Sequence, residues 1–263
     1  MEGRSVVVTG AAAGIGAALA RRFARAGSRV AVLDVDAEGA ERVASEIHAS
    51  SGVALALRCD VTSDAECRSA IGAVERAWGG VDVLVNNAGI THLGLFRDTD
   101  VEVLRRVMEV NFWGAVRCTK AALPSLLARR GRIAVLSSVA GFAPLATRSG
   151  YAASKHALHG FFGSLRAEHR RDGLGVTLVC PSFVRTQIGS RALGPDGRPA
   201  GAGARTGVRR ELEPEAVAEA VFRGVEAGRR LVLVPAEARL SRWLAALWPA
   251  GYESLMLRRT LSC

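Results

Sequence analysis

The chain has 263 residues, enough to bury a full hydrophobic core, and an α/β fold of this size is ordinarily one domain. Hydrophobic residues make up 49% of it, yet no uninterrupted apolar run approaches the roughly 18 to 20 residues of a membrane span, so a soluble globular protein is expected. The formal net charge is +10, but the arginines are scattered, several in pairs where a helix should end. No basic stripe interleaved with aromatics accompanies them, and nucleic acid is not the expected partner.

The opening MEGRSVVVTG runs almost directly into a strand-like segment at Ser5. That leaves no room for a charged segment, an apolar signal core and a cleavage site, and the expected location is the cytoplasm. Further strand candidates follow: RVAVLD from Arg29, VALALRCD from Val53, VDVLVNN from Val81, RIAVLSS from Arg132, GVTLVC from Gly175 and LVLVP from Leu231. Their near-continuous Val, Leu and Ala content predicts strands buried on both faces, hence a parallel sheet with helices on each side. Between them, Ser63-x-x-Glu66 reads as a capping box, Asp98 and Asp100 flank a helix start and read as caps, and Pro214 fits a first helical position. The Gly-, Pro- and Arg-rich stretch Gly189 to Leu212 is the one long irregular segment, and 187–213 is expected to form a substrate lid.

Residues 235–263 extend past the last strand. Leu240, Trp243, Leu244 and Leu247 fall on one helix stripe beside Arg239 and Arg242. Packing on the same domain, over a pocket or at a subunit interface, is preferred to peripheral membrane contact. Five cysteines, an odd number without C-x-x-C spacing, read as reduced and mostly buried thiols. His156 and His159 are three apart without a carboxylate at ligand spacing, and no metal is expected.

Chemistry begins at TGAAAGIG, Thr9 to Gly16, between the first strand and an amphipathic run. Gly10 allows a tight turn, Gly14 lets the backbone approach a phosphate, and Gly16 lets the helix pack on the sheet. The helix N-terminus then offers free N–H groups to a pyrophosphate. Glycine also marks ordinary turns, so the position between strand and helix carries the argument. Asp34 ends the second strand, eighteen residues beyond Gly16; an acid there accepts hydrogen bonds from ribose hydroxyls and repels a 2′-phosphate, unless it serves only as a cap. Downstream, Tyr151 and Lys155 stand four apart, on one helix face, in a chain that has two tyrosines and two lysines. A lysine ammonium there favours the phenolate of a tyrosine otherwise too weak as a base. Ser138, at the end of the fifth strand, offers a hydroxyl to charge developing on a substrate oxygen, or else terminates the strand.

Thr9-Gly10-x-x-x-Gly14-Ile15-Gly16, Asp34, CDVT with Asp60, NNAG from Asn86 to Gly89, Asn111, Ser137-Ser138 and Tyr151-x-x-x-Lys155 together resemble the short-chain dehydrogenase/reductase family, over about Ser5 to Val234. The resemblance implies an α/β fold: one doubly wound Rossmann domain over 1–234, with a seven-stranded parallel sheet, helices on both faces and a C-terminal helical extension. It implies Tyr151 as acid/base, Lys155 holding the nicotinamide ribose, Ser138 binding the substrate oxygen and Asn111 anchoring a water of the proton relay. Asp60 and Val61 are implied at the adenine, and Asn87, Ala88 and Gly89 along the adenosine side. Pro181, Val184 and Thr186 are retained near the nicotinamide, whereas Ser182 stands where most members have glycine, so its backbone must take angles a side chain accepts. Relatives that prefer NADP tend to carry a basic residue at the place of Ala13, which with Asp34 makes NAD the expected cofactor over NADP.

The apolar Leu93, Leu95, Phe96, Phe142, Pro144, Leu145 and Phe183 suit a hydrophobic alcohol or ketone. The surrounding stretches resemble the hydroxysteroid dehydrogenase-like branch, which implies a steroid- or lipid-like substrate and a homodimer or homotetramer. A catalytically silent NAD-binding sensor or scaffold of the same fold is the alternative.

Overall fold

Every one of the seven apolar runs is a strand in the computed structural model, which describes residues 1–201, 211–235 and 238–260, with side chains up to 257. The strands β1 (Ser5–Thr9), β2 (Arg29–Asp34), β3 (Val53–Arg58), β4 (Val83–Asn86), β5 (Arg132–Leu136), β6 (Gly175–Pro181) and β7 (Leu231–Val234) form one sheet in the order β3-β2-β1-β4-β5-β6-β7. All neighbours pair in parallel. Strand side chains alternate between faces, so both faces must be apolar if both are covered. Val6, Val8, Val30 and Val32 accordingly share one core with α1 (Gly14–Arg25), α2 (Ala37–Ala49) and α7 (Pro214–Glu226). Val7, Ala31 and Leu33 share the other with α3 (Asp64–Trp78), α5 (Gly114–Ala128) and α6 (Ser149–Glu168). This is a doubly wound Rossmann fold, with α8 (Ala238–Leu247) and α9 (Pro249–Thr260) added at the C-terminus.

Local signals explain most helix ends. Asp36 caps α2 by accepting from Gly39 N–H, and Pro214 opens α7. Only half of the expected capping box forms: Ser63 accepts from Glu66 N–H at 3.2 Å, while the Glu66 carboxylate takes Asp60 N–H at 2.9 Å and the Arg58 guanidinium at 2.7 Å. That cation makes the upstream partner the stronger one, and the capping glutamate ties down the turn that carries Asp60. The expected caps at Asp98 and Asp100 do not form. Asp100 occupies the N-cap position of α4 (Val101–Met108) without a side-chain cap bond, and Asp98 lies in a short 3₁₀ turn beside Arg97. Between α4 and α5, Glu109–Trp113 is a π turn that carries Asn111.

The strand order reverses between β1 and β4, which opens a crevice at their carboxyl ends, the usual ligand position in such sheets. Residues 202–210 of the expected lid lie outside the described residues. The part before them is docked: Leu193 bridges both His92 and Pro199, and Ala192 is fully buried. In the extension, Ala238, Ser241, Tyr252 and Met256 turn towards the crevice, whereas Leu240, Trp243 and Leu247 of the apolar stripe are 63 to 76% exposed. No helix among the described residues is long and apolar enough to cross a membrane. Cys59, Cys67, Cys118 and Cys180 are free and buried; Cys263 lies outside the described residues.

Candidate active site

A cleft of about 2480 Å³ runs along the carboxyl ends of the strands. Pockets for one small molecule occupy roughly 300 to 1,000 Å³, so this one has room for a dinucleotide together with a second ligand. Its first end is built by the turn after β1. Gly10 and Gly14 have φ of +63° and +55°, and a Cβ on Gly10 would stand 2.7 Å from the Ala88 Cα, so the turn closes only with glycine. The turn is stapled from β4: the Asn87 amide donates to the carbonyls of Thr9 and Gly10, both at 2.9 Å. Thr9 Oγ1 in turn accepts from the N–H groups of Asn87 and Ala88. Ala13, the N-cap residue of α1, offers no side chain to the helix, and its first turn holds no acid. Free N–H groups and the positive helix end are therefore left for an anion such as a pyrophosphate.

Asp34 lines this end, its carboxylate fixed by Ala12 N–H at 2.9 Å and Asp36 N–H at 3.0 Å. Asp60, whose carboxylate holds Thr62, stands beside Val61 on the same wall. Ala13, Ile15, Gly16, Ala88 and Gly89 complete it. Pro181, Ser182, Val184 and Thr186 face them from β6 and the loop that follows. Ser182 N–H donates to Val234 O at 2.8 Å without a left-handed φ, so the missing glycine costs the loop no strain. The residues present thus fit a dinucleotide.

At the other end stand Ser138, Tyr151 and Lys155. Ser138 caps the short turn after β5 by accepting from Ala140 N–H. Tyr151 and Lys155 share a face of α6, and the Lys155 ammonium lies 5.6 Å from the centre of the tyrosine ring. Lys155 is buried and donates to Leu136 O at 2.8 Å; burial pulls its pKa down to about 8. Burial of the phenol raises Tyr151 above its ordinary value, opposed by the Ser138 hydroxyl and the Arg148 guanidinium. Desolvation is the largest influence on Tyr151, ahead of the Ser138 hydroxyl and the Arg148 guanidinium.

Asn111 lies behind this wall, buried to 1% exposure. Its amide is engaged by Ile90 N–H at 2.8 Å, Ile90 O at 3.0 Å and Ser154 Oγ at 2.9 Å. The π turn aims this side chain at the loop after β4, tying that loop to the helix of Tyr151 and Lys155. Beyond His159, two residues here, His92 and Arg148, have no signal in the sequence. His159 meets Ser137 Oγ at 3.0 Å behind Lys155, and burial lowers it to about 4, so it is neutral at physiological pH. His92, fully buried, accepts from Gly150 N–H at 3.0 Å. Arg148 precedes α6 and lines the cleft. A period-3.6 pattern could have placed His159 on the buried face of α6, but His92 and Arg148 meet only through the fold. His156 is exposed and bonds only Ala152 O, and among the described residues no cluster of His, Cys, Asp and Glu could hold a metal.

The chain is similar to known proteins in sequence and in fold. The family profile described as short chain dehydrogenase matches residues 4–193. Dehydrogenase/reductase SDR family member 7B of Bos taurus is 37% identical over 97% of this chain and 80% of its own length. 11-beta-hydroxysteroid dehydrogenase A of Sesamum indicum is 33% identical over 96% and 74%. A crystal structure of a short chain dehydrogenase/reductase from Burkholderia phymatum in complex with NAD superposes with a TM-score of 0.82 at 26% identity, covering 94% of this chain and 95% of that one.

Proposed function

Because the chain belongs to the short-chain dehydrogenase/reductase family, we propose that it interconverts a hydrophobic secondary alcohol and its ketone with NAD(H). The observation that carries this reading is that one cleft holds the glycine turn with Asp34 at one end and Ser138, Tyr151 and Lys155 at the other. NAD, when bound, takes hydride from the alcohol carbon, and NADH gives it back. Its pyrophosphate would lie on the N-terminus of α1 and its adenosine ribose on Asp34, whose negative charge disfavours the 2′-phosphate of NADP. Lys155 would hold the second ribose. Tyr151 protonates the ketone oxygen during reduction and takes the alcohol proton in reverse, while Ser138 donates to that oxygen as charge develops. Asn111 supports the relay by anchoring the loop beside Lys155. Phe96, Pro144, Leu145 and Met256 offer the substrate apolar walls. The steroid dehydrogenase among the relatives supports a hydrophobic substrate. Homo-oligomeric assembly is carried over with the family resemblance.

The test is a panel of hydrophobic ketones and alcohols with NAD(H) and NADP(H), run beside Tyr151→Phe. Turnover by the wild type, with kcat lowered about 10² to 10⁴-fold in the variant, is expected. NADH binding without turnover of any member would favour a sensor role, and a preference for NADPH would refute the role given to Asp34.

A further inference from the structure

Beyond its charge near Tyr151, Arg148 has no part in the chemistry above, yet the residue is 8% exposed and lines the wall of the cleft. Among the described residues its one side-chain hydrogen bond is from Nη1 to Thr91 Oγ1 at 3.3 Å, and its Nε is buried without a partner. Among the described residues no carboxylate pairs with it. Buried arginines are normally matched by an acid, because an unmatched buried charge is costly. Arg148 also occupies the N-cap position of the 20-residue helix α6, where it makes no capping bond, and the first turn of that helix holds no acid. The positive helix end and the positive side chain thus stand together without an acid in that first turn, although one of its N–H groups, that of Gly150, is already taken by His92 Nε2. The residue before it, Thr147, has φ of +64°, an uncommon conformation for a β-branched side chain.

We propose that Arg148 and the N-terminus of α6 form an anion subsite, so that the substrate is an amphiphilic hydroxy or keto compound bearing a carboxylate or a phosphate monoester. The proposal rests on the redox reading of the same cleft and narrows its substrate class. Arg148 and Tyr151 are three residues apart on one helix face, a rise of about 4.5 Å. The acidic group therefore sits only a few bonds from the carbon whose oxygen meets Tyr151, and the hydrophobic remainder extends towards Phe96 and Leu145. A wholly apolar substrate would leave the guanidinium unmatched.

Binding separates this proposal from the redox reading, because it needs no turnover. Calorimetry on the full chain, with and without saturating NADH, compares decanoate, decyl phosphate and 1-decanol. At least one of the two anions should bind tenfold or more tighter than decanol, and the tighter of the two identifies the acid. Arg148→Met should erase the preference, and Arg148→Lys should keep part of it. Equal binding of decanol and both anions by the wild type overturns the proposal even if neither variant folds. So does an anion preference that survives in a folded Arg148→Met. A ketone panel that includes keto acids and keto phosphates and still shows no turnover would sink the redox reading and leave these outcomes to decide the subsite by themselves.

Discussion

The two ends of the cleft are built on opposite terms. At the dinucleotide end the polar groups are already matched by the protein: Thr9, Asn87, Asp34 and Asp60 spend their hydrogen bonds on neighbouring backbone and on Thr62. At the substrate end they are buried and under-matched: Lys155 holds one carbonyl, Arg148 one hydroxyl, and the Nδ1 of His92 and Nε of Arg148 hold nothing. The first end is a rigid surface that depends on shape. The second keeps groups desolvated, which shifts their proton affinities.

If that contrast is right, small changes of shape should damage the first end most. Gly10→Ala puts a methyl against Ala88 in a left-handed turn, and NADH affinity should fall about 100-fold with a lower Tm, read by fluorescence titration and calorimetry. An undamaged Kd would show that the turn is softer than its geometry implies. Charge should matter less: Asp34→Ser is expected to move the NADH to NADPH ratio of kcat/KM about tenfold or more towards NADPH, equivalent to about 1.4 kcal/mol. It should also lose about 1 kcal/mol of stability with the Ala12 bond.

Lys155 tests the other end through pH. Its folded pKa of about 8 lies below the unfolded value of about 10.5, so the unfolded chain binds more protons between the two, and this group's contribution to stability rises with pH across that window. Below pH 8 the cost of burying the ammonium is fully present. Lys155→Met should therefore show a Tm equal to or above the wild type at pH 7, with that advantage shrinking as pH rises from 8 to 10, while turnover is lost. A Tm well below the wild type at pH 7 would make Lys155 a structural residue. The smallest effect belongs outside the cleft: Trp243→Ser, on the exposed face of α8, should change stability by less than about 0.5 kcal/mol, and a larger loss on denaturation would mean that this face is covered in solution.

The dinucleotide end was legible because its signals are local. Glycines at 10, 14 and 16, an acid at the end of β2 and strands buried on both faces each leave their mark within a few residues of sequence. Tyr151 and Lys155 were legible for the same reason, one helical turn apart. Arg148 and His92 were not, since a buried arginine beside a buried histidine 56 positions away carries no sequence spacing to read. Nor was the desolvation of Tyr151, because spacing shows a neighbouring lysine but not how far the fold strips water from the phenol. The outward turn of Leu240 and Trp243 shows the same limit: the period marks an apolar stripe, and only packing decides which side of the helix is covered.

On the proposed function, one end of the cleft binds the dinucleotide and the other does the proton chemistry. Tyr151→Phe measures it most directly, with NADH affinity and ketone reduction recorded on the same preparation. The expected result is a Kd for NADH within about twofold of the wild type and a fall in kcat of at least about 100-fold. Full turnover in the variant, or a loss of NADH affinity that matches the loss of turnover, would contradict it.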